Sequence, residues 1–462
     1  MKTQIQVPCY RYCKLYGATK TMTLSMGLFL IGILALSCLF TSIFNKQNQA
    51  LAQQYIQTIK YRNLVIDLGN GVKTNAQLTL PAVGKGPFPG VLLIAGTGPT
   101  DKNETLGLVL KDKPPPAQPL LQIAKYLSER GFAVLRYDKR GVGGNFTNVD
   151  KNVWGNATIN DLIHDAAKAM NVLIAQPEVN GTKGISIIGH SEGTIIAPRL
   201  AVDNPAKVKN IVLIGAQAQN LRDGVYFQEA YLPMLYAEKV LDHNHNGSIS
   251  IQEASKDPIF QSLTITQVSP TTVKPLFTGK VIPSIQYLQS INASNNNNSK
   301  QNYISIDKGL KPLLLEKIAS LTAKNASCTL DGCPIWFKSH FDLGTTLGMI
   351  GNVSSSTGIL ILQGENDTQT PVQQAFLLQQ RLTDVNHPDH TLITYPGLGH
   401  NLSPAIEVYP GSSMYGIQKS GPIEDYALAD LYAWLEAHSG FTRIPVVMPS
   451  SNSSSSSSTA TK

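Results

Sequence analysis

The segment ISIIGHSEGTIIAPRLAV, residues 185–202, decides the interpretation of this sequence. Its first part, ISIIGH, is a short apolar run typical of a strand buried on both faces, and a helix-like stretch begins at Thr194. Between them lies GHSEG (189–193), which fits the pattern Gly-x-Ser-x-Gly. A sharp strand-to-helix turn holds such a serine above the edge of the sheet, and the flanking glycines carry no side chain that would clash there. Ser191 is therefore a candidate nucleophile, and the alternative is an ordinary serine in a turn.

Short apolar runs recur on both sides of this segment, separated by stretches of helical length. The runs are VLLIAG (91–96), FAVLRYD (132–138), ISIIGH (185–190), IVLIG (211–215) and GILILQG (358–364). The stretches of helical length between the first four runs are Leu120–Arg130, Ile159–Ala175 and Thr194–Val202. This βαβ alternation predicts an α/β fold with a mostly parallel sheet flanked by helices. Turn signals between Tyr55 and Pro81 predict an antiparallel strand pair before it.

The alternation stops near Ala216 and resumes near Gly358. The predicted core therefore has two parts, 56–215 and 358–440, with an inserted lid or cap domain at 216–357 that is richer in polar turns. The asparagine run at 295–298 is predicted to be a solvated loop of this insertion. Residues 441–462 contain too few apolar side chains to order themselves, which predicts a disordered serine-rich tail.

A serine nucleophile requires two partners elsewhere in the chain. A base must take the hydroxyl proton, and a carboxylate must hold the base in the correct tautomer. In this architecture the acid follows a late strand and the histidine follows the last one. GENDTQTP (364–371) follows one apolar run, and GLGHNL (397–402) follows the next, TLITYP. Asp367 and His400 are therefore the candidate acid and base, and Glu365 is a competing acid.

The oxyanion of a tetrahedral intermediate requires backbone N–H donors that are already in place. One candidate donor is the amide of Glu192, directly after Ser191. The other is the amide of Thr97 in AGTGPTDKN (95–103), where neighbouring glycines permit a close approach. His190 is expected to pack beneath the turn.

Three charged residues near this edge of the sheet have roles that the sequence does not assign directly. We expect Asp138 and Arg140 in RYDKRGVGG (136–144) to fix neighbouring loops through a charge-assisted pair rather than to contact a substrate. The side chain of Glu192 has two interpretations. It meets a substrate amine, which would favour an aminopeptidase, or it points into solvent or pairs with Arg199.

Five segments together resemble the α/β-hydrolase superfamily, specifically its microbial carboxylesterases and serine aminopeptidase-like hydrolases. The segments are AGTGPTDKN, RYDKRGVGG, GHSEG, GENDTQTP and GLGH. The similarity extends over residues 56–215 and 358–438, and it implies a catalytic triad, an oxyanion hole and no organic cofactor. The residues on which these roles fall are Ser191, Asp367 and His400 for the triad and Thr97 and Glu192 for the oxyanion hole.

Two departures from the family pattern concern the oxyanion region. Ala95 and Thr97 stand where that branch usually has His and Ser, and RYDKRGVG continues with Gly-Asn where the branch usually has serines. Neither departure removes a catalytic group, although both affect the expected geometry of the oxyanion donors. The insertion has no counterpart in the family pattern.

The resemblance implies acyl transfer to Ser191 followed by hydrolysis of the acyl-enzyme. The first hypothesis is hydrolysis of carboxylic esters, and the second is a peptidase with the same triad. Both act on a small-molecule or peptide acyl substrate. A third hypothesis, from a different class, is a calcium-dependent binding protein in which a hydrolase-like fold has lost activity.

The calcium hypothesis depends on DHNHNGSISIQE (242–253), which has the spacing of a twelve-residue EF-hand calcium loop. The predicted ligands are side-chain oxygens of Asp242, Asn244, Asn246 and Glu253. The carbonyl of Ser248 and a water held at Ser250 complete the set. Only two of them are acidic, which predicts weak, structural binding. Sensors usually pair two such loops, and no second match occurs in the chain. The interpretation is therefore a clip that orders the lid, with a solvated Asn-rich turn as the alternative.

The N-terminal part of the sequence predicts targeting to the membrane. Residues 1–21 are basic without an acid, and Met22–Phe44 is an uncharged stretch of 23 residues, long enough to cross a bilayer as a helix. The positive-inside bias places the N-terminus in the cytoplasm and the chain after the linker at 45–55 outside. Ala50-Leu51-Ala52 also fits a signal cleavage site, so a retained anchor and secretion after cleavage both stay open.

The net charge of +7 belongs mostly to this N-terminal segment. Residues 1–52 contain five Lys or Arg and no acid, so 33 basic and 31 acidic residues are left for the rest of the chain. A nucleic-acid partner is not predicted, because it would require a basic face on the folded domain. Cys328 and Cys333 are the only cysteines after the membrane segment. An exterior location favours a disulfide between them over a metal pair.

Overall fold

A computed structural model describes residues 58–440 with gaps at 107–115, 144–148, 255–256, 258, 261–265, 270–271, 275–302, 327, 329–331, 408–415 and 419–420. The predicted membrane segment with its cleavage site, the asparagine run and the serine-rich tail lie outside these residues. Within the described residues, no helix has both the length and the hydropathy needed to cross a membrane.

The strands alternate with helices in the order that the apolar runs predict. In chain order the strands are β1 (Ile59–Gly69), β2 (Val72–Pro81), β3 (Gly90–Ile94), β4 (Ala133–Tyr137), β5 (Ile185–His190), β6 (Val208–Ile214), β7 (Ser248–Ser250), β8 (Thr266–Ser269), β9 (Thr272–Lys274), β10 (Tyr303–Ser305), β11 (Gly358–Gly364), β12 (His390–Tyr395), β13 (Ala405–Glu407) and β14 (Gly416–Gln418).

The α-helices are α1 (Pro119–Ser128), α2 (Lys151–Trp154), α3 (Ile159–Ile174), α4 (Gly193–Asp203), α5 (Leu221–Tyr226), α6 (Leu232–Tyr236), α7 (Ile251–Ala254), α8 (Lys311–Ser320), α9 (Pro334–Phe341), α10 (Thr346–Ile350), α11 (Val372–Asp384) and α12 (Asp425–Ser439). Short π-helical turns at Phe227–Tyr231, Ala237–Leu241 and Ile306–Leu310 join or extend the helices of the insertion, and a 3₁₀ turn at Gly181–Lys183 precedes β5.

The central sheet has eight strands in the order β1-β2-β4-β3-β5-β6-β11-β12. The pairs β1–β2 and β2–β4 are antiparallel, and every other neighbouring pair is parallel. The predicted mostly parallel sheet with an antiparallel beginning is therefore confirmed. Because β5 lies between β3 and β6, the turn that follows β5 emerges near the middle of the carboxyl edge of the parallel strands.

Both faces of this sheet are covered, which explains the apolar runs. Successive residues of a strand point to opposite faces, and in β3 Leu92 joins the hydrophobic cluster of one face while Leu93 joins that of the other. Helices α3, α4 and α11 pack on the first face, and α1 and α12 pack on the second. A strand buried on both faces has to be apolar at nearly every position.

The predicted insertion contains two differently packed parts. Its first part has a small hydrophobic core of its own, to which Leu241, Ile249 and Ile304 contribute, and β7 pairs with β10 beside it. In its second part, Trp336 of α9 and Ile350 of α10 belong to the hydrophobic cluster of the central sheet. The second part of the insertion is therefore packed directly on the central sheet.

Candidate active site

The turn between β5 and α4 holds Ser191 in an unusual backbone conformation. Its φ is +53°, in the left-handed region that few non-glycine residues adopt. A β-carbon at Gly189 would collide with the carbonyl of Gly193, and a β-carbon at Gly193 would collide with the carbonyl of Ile94. The two glycines of the motif are therefore required by close backbone contacts, and the serine between them stays partly exposed.

The structure brings the predicted acid and base together. Nδ1 of His400 lies 2.8 Å from Oδ2 of Asp367, and both side chains are buried. Four further donors hold the carboxylate: the Gln363 side-chain amide at 2.8 Å, the Thr370 hydroxyl at 2.8 Å, and the backbone amides of Gln369 at 2.8 Å and Thr370 at 2.9 Å. Asp367 is thus fixed in one orientation toward the imidazole.

Electrostatics keep this carboxylate ionised. Burial by itself would raise the pKa of Asp367, but the charge and hydrogen bond of His400 and the bonds from Thr370 lower it, and the net result is a pKa below the usual range. The other ring nitrogen of His400, Nε2, is buried and has no hydrogen-bond partner among the described residues. In a serine triad this is the nitrogen that takes the proton of the nucleophile.

The loop of His400 and the turn of Ser191 meet at the end of β6. The amide of Ser191 donates to the carbonyl of Ile214 at 2.9 Å, and the next residue, Gly215, lies so close to His400 that a β-carbon there would be 2.8 Å from the imidazole. In the part of the chain that the structure describes, no hydrogen bond joins the Ser191 hydroxyl to His400. The three predicted triad residues therefore converge on one site, with the acid and base already paired.

The competing acid has a different partner. Oε1 of Glu365 accepts a hydrogen bond from the Thr394 hydroxyl at 2.8 Å. Between the two candidate acids of this loop, it is Asp367 that contacts the histidine.

The predicted oxyanion donors lie on both sides of Ser191. Glu192 is the N-cap residue of α4, and the first amides of a helix have no carbonyl partner within it. Thr97 follows Gly96, and a β-carbon on Gly96 would be 3.0 Å from the β-carbon of Ser191. The loop after β3 thus passes directly over the candidate nucleophile.

A buried pair that the sequence analysis missed supports this loop. Oε1 of Glu104 accepts the amide of Gly96 at 2.7 Å and contacts Nδ1 of His190 at 2.8 Å. Burial alone would lower the pKa of His190, but the charge and hydrogen bond of Glu104 raise it above its ordinary value. His190 lies beneath the turn as expected, and its ring centroid is 4.8 Å from that of His400.

The Glu192 side chain neither points into solvent nor pairs with Arg199, so that interpretation is wrong. The carboxylate is buried, with 2% of the residue exposed. It pairs with the ammonium of Lys139, accepts a hydrogen bond from Nε1 of Trp336 at 2.8 Å, and lies 2.9 Å from Nε2 of His340. Arg199 instead donates to main-chain carbonyls. Burial would raise the pKa of Glu192, but Lys139 and His340 lower it to about 2.

The expectation that Asp138 and Arg140 pair with each other is wrong. Asp138 accepts the backbone amide of Lys102 at 2.7 Å. Arg140 forms two hydrogen bonds of 2.7 Å with the carboxylate of Asp165 on α3. Each residue does fix a neighbouring loop or helix, but with a partner that is distant in sequence.

The two cysteines among the described residues form the predicted bond. Cys328 and Cys333 are joined by a disulfide, and Cys333 is the N-cap residue of α9. The bond therefore lies at the beginning of the helix that carries Trp336 and His340.

The predicted calcium loop is closed by hydrogen bonds to its own backbone. The carboxylate of Asp242 accepts the amides of Asn246 at 3.0 Å and Gly247 at 2.7 Å, and the side-chain oxygen of Asn246 accepts the amide of Ser248 at 3.0 Å. Ile249 is buried in the core of the insertion. These oxygens therefore accept amides of the loop itself.

Three other predicted ligands have longer hydrogen bonds to the loop or are exposed. Asn244 shares the amide of Asn246 at 3.3 Å, the Ser250 hydroxyl accepts the amide of Glu253 at 3.4 Å, and Glu253 itself is exposed. The described residues contain no cluster of three or more Asp, Glu, His or Cys side chains suited to a metal. This loop carries only two acids, so its amide and carbonyl oxygens would have to supply most of the ligands.

The fold and the site together define an α/β hydrolase, and comparison with known sequences agrees. The pattern of the alpha/beta hydrolase fold family matches residues 113–404, more than half of the chain. The chain therefore belongs to this family.

Particular relatives are similar over part of the chain or at low identity. Esterase EstD of Thermotoga maritima is 33% identical over 160 residues, which cover 34% of this chain and 34% of that protein. The aligned region thus spans about a third of the relative. Among solved structures, a thermostable carboxyl esterase from Bacillus coagulans has 14% identity, coverage of 82% of this chain and 99% of its own, and a TM-score of 0.45. A proline iminopeptidase from Mycobacterium smegmatis has 14% identity, coverage of 82% and 99%, and a TM-score of 0.42.

Proposed function

We propose that this hydrolase cleaves carboxylic esters through a Ser191, His400 and Asp367 triad. One observation supports the proposal above all: the buried Asp367–His400 pair leaves Nε2 of the imidazole without a partner among the described residues. The loop of His400 also meets the turn of Ser191 at the end of β6. Membership of the α/β-hydrolase family and the similarity to an esterase over a third of the chain support it.

The proposed reaction has two halves. In the first, the hydroxyl of Ser191 attacks the ester carbonyl while Nε2 of His400 takes its proton, and the resulting oxyanion accepts the amides of Thr97 and Glu192. The imidazolium then gives its proton to the leaving alcohol, and an acyl-enzyme forms. In the second half, water attacks the acyl-enzyme by the same route and releases the acid. Asp367 stays ionised throughout and holds the imidazole in the required tautomer.

Hydrolysis of p-nitrophenyl acetate and butyrate by the full chain tests the proposal. Ser191→Ala is expected to lower kcat by a factor on the order of 10⁵ or more, while Ser355→Ala, which changes an exposed serine, leaves it unchanged. Turnover by folded Ser191→Ala at a rate near that of the wild type would overturn the assignment.

Ester substrates are proposed ahead of peptides because of the surroundings of Glu192. A carboxylate that recognises a substrate amine has to be free to pair with it, whereas this one is enclosed by Lys139, Trp336 and His340. We expect short-chain esters to be hydrolysed faster than aminoacyl p-nitroanilides. A higher kcat/KM for the anilides would support the peptidase alternative.

We also propose that the loop 242–253 binds one calcium ion with a structural role. The hydrogen bonds that hold the carboxylate of Asp242 and the side-chain oxygen of Asn246 to amides of the loop support this proposal. Bound calcium would add a cation to these oxygens and rigidify the insertion, and no step of the proposed hydrolysis passes through it.

The proposed location is outside the cytoplasm, by an N-terminal anchor or after cleavage near Ala52. The disulfide between Cys328 and Cys333 supports this, because such bonds persist mainly in oxidising compartments. Protease treatment of intact cells, compared with lysed cells, tests it. Protection of the chain in intact cells would contradict the proposal.

A further inference from the structure

One buried ammonium group contacts both segments that would supply the oxyanion donors. Lys139 follows β4 by two residues and is 4% exposed. Its Nζ donates to the main-chain carbonyl of Gly96, in the loop over the nucleophile, and to the carboxylate of Glu192, directly after the nucleophile. No other side chain among the described residues has hydrogen bonds to both segments.

The bond to Gly96 fixes the direction of the Thr97 amide. The carbonyl of Gly96 and the N–H of Thr97 belong to the same peptide group, and in a planar trans peptide the two point in opposite directions. When the ammonium holds the carbonyl, the N–H is directed away from Lys139. The preceding peptide is fixed as well, because Glu104 accepts the amide of Gly96 at 2.7 Å. The oxyanion loop is therefore held on both sides of Gly96.

The bond to Glu192 fixes the second donor. The side chain of Glu192 is held by Lys139 and by two residues of helix α9, Trp336 and His340. Because the carboxylate is anchored in the protein interior, the main chain of this residue cannot rotate without breaking those contacts. The amide of Glu192 is thereby kept at the beginning of α4, beside Ser191.

The ammonium of Lys139 also strengthens the hydrogen bond that the Thr97 amide can donate. A peptide whose carbonyl bonds to a cation is polarised, and hydrogen bonds in a chain strengthen one another. Because the Glu192 carboxylate balances the charge of Lys139, this effect acts through the bond to Gly96. It acts on the transition state, where the oxyanion develops, more than on the neutral ester.

We propose that Lys139 is a positioning residue of the oxyanion hole, acting through the Gly96–Thr97 peptide and through Glu192 without touching the substrate. This inference rests on the proposed serine hydrolase function. It assigns the lysine of RYDKRGVGG to transition-state stabilisation, and it links the insertion to the site through α9.

The first test is the steady-state kinetics of Lys139→Met with p-nitrophenyl butyrate. We expect kcat to fall by about 10²-fold, comparable to the loss of one oxyanion donor, with KM within a few-fold of the wild type. Affinity for an aryl boronic acid, which forms a tetrahedral adduct with the nucleophile, is expected to fall by the same factor. An unchanged kcat in the folded variant would overturn the proposal.

A structural role of Lys139 must be separated from the positioning role, because its removal leaves the buried Glu192 carboxylate with less compensation. The double variant Lys139→Met with Glu192→Gln removes both charges and serves this purpose, including the case in which the single variant does not fold. The proposal expects kcat of the double variant to stay at least about tenfold low, since the Gly96 carbonyl still lacks its donor. Recovery of full kcat would show that Lys139 only neutralises Glu192.

Two controls complete the design. Lys317→Met removes another buried lysine, which pairs with Glu229 within the insertion, and it is expected to lower thermal stability without changing kcat. Ser191→Ala is assayed in parallel: if it keeps its activity, the proposed function fails. If Ser191→Ala is inactive while Lys139→Met is fully active, only the inference about Lys139 fails.

Discussion

The turn at Ser191 and the loop at 242–253 are both recognisable as short sequence motifs, but the protein holds them in different ways. The turn depends on the main chain of β3, the end of β6 and the helix α9 of the insertion. The loop is closed mainly by bonds between its own side chains and amides. Changes near the turn should therefore affect chemistry and folding, whereas changes in the loop should have small, local effects.

After the loss of Ser191 itself, the largest expected effect comes from the acid that holds His400. Asp367→Asn replaces the acceptor for Nδ1 of His400 with a side chain that is itself a donor, which favours the wrong tautomer, and kcat is expected to fall by about 10³–10⁴-fold. Glu365→Gln is the matched control, because Glu365 bonds to Thr394 and not to the histidine. This variant should keep kcat within a few-fold of the wild type. Ester hydrolysis by both variants is the measurement. Equal losses would show that the acid is wrongly assigned.

The next effect is on stability. In Gly193→Ala the new methyl group would meet the carbonyl of Ile94, and the backbone contact leaves little room to adjust. We expect a loss of about 1–3 kcal/mol in the free energy of unfolding, measured by urea denaturation. Gly344→Ala, where no atom lies within 4 Å of the added carbon, should change stability by less than about 0.5 kcal/mol. Equal stability of the two variants would contradict the close packing of the turn.

Acid should weaken the structure around the turn. The ordinary pKa of a glutamate is 4.5, and the folded protein lowers the pKa of Glu192 to about 2. The stability that this ionised group contributes is complete above pH 4.5 and is lost as the pH falls toward 2, because the unfolded chain takes up the proton first. In a pH series of thermal unfolding, the double variant Lys139→Met with Glu192→Gln should lose less stability than the wild type over this range. A larger loss in the variant would contradict the assignment.

The smallest expected effect concerns the loop. Millimolar affinity predicts that about 5 mM calcium stabilises the protein by about 1 kcal/mol, and Asp242→Ala should abolish this increment. Asp307→Ala, which removes an exposed acid elsewhere in the insertion, serves as the control and should keep it. The melting temperature with calcium, and with a chelator, is the readout. If calcium does not change the melting temperature of the wild type, the proposed clip does not exist.

Much of the fold can be predicted from the sequence, because local patterns of apolar residues determine where the strands lie. Strands buried on both faces require continuous apolar runs, and each predicted run became a strand of the central sheet. Chain order predicts Asp367 and His400 as acid and base, and the structure pairs their side chains.

The side-chain partners around the site could not be predicted, because they depend on contacts between segments that are distant in the sequence. Lys139 and Trp336 contact Glu192 across sequence separations of 53 and 144 residues, and no local pattern encodes such a contact. Glu104 lies in the same loop as Thr97, but only the folded structure shows that it holds Gly96 and His190 together. For the same reason the pairing of Glu192 with Arg199 was wrong, since Lys139 and a helix of the insertion enclose this carboxylate instead.

The central claim is that Ser191 is a nucleophile activated by His400. The most direct measurement is labelling of the full chain with a fluorophosphonate, followed by mass spectrometry of the peptide that contains GHSEG. We predict one adduct per chain on Ser191, no adduct in Ser191→Ala, and much slower labelling in His400→Ala. Absence of an adduct on folded wild-type protein would contradict the claim and favour a binding protein that has lost activity. An adduct on another serine would contradict the claim by assigning the nucleophile elsewhere.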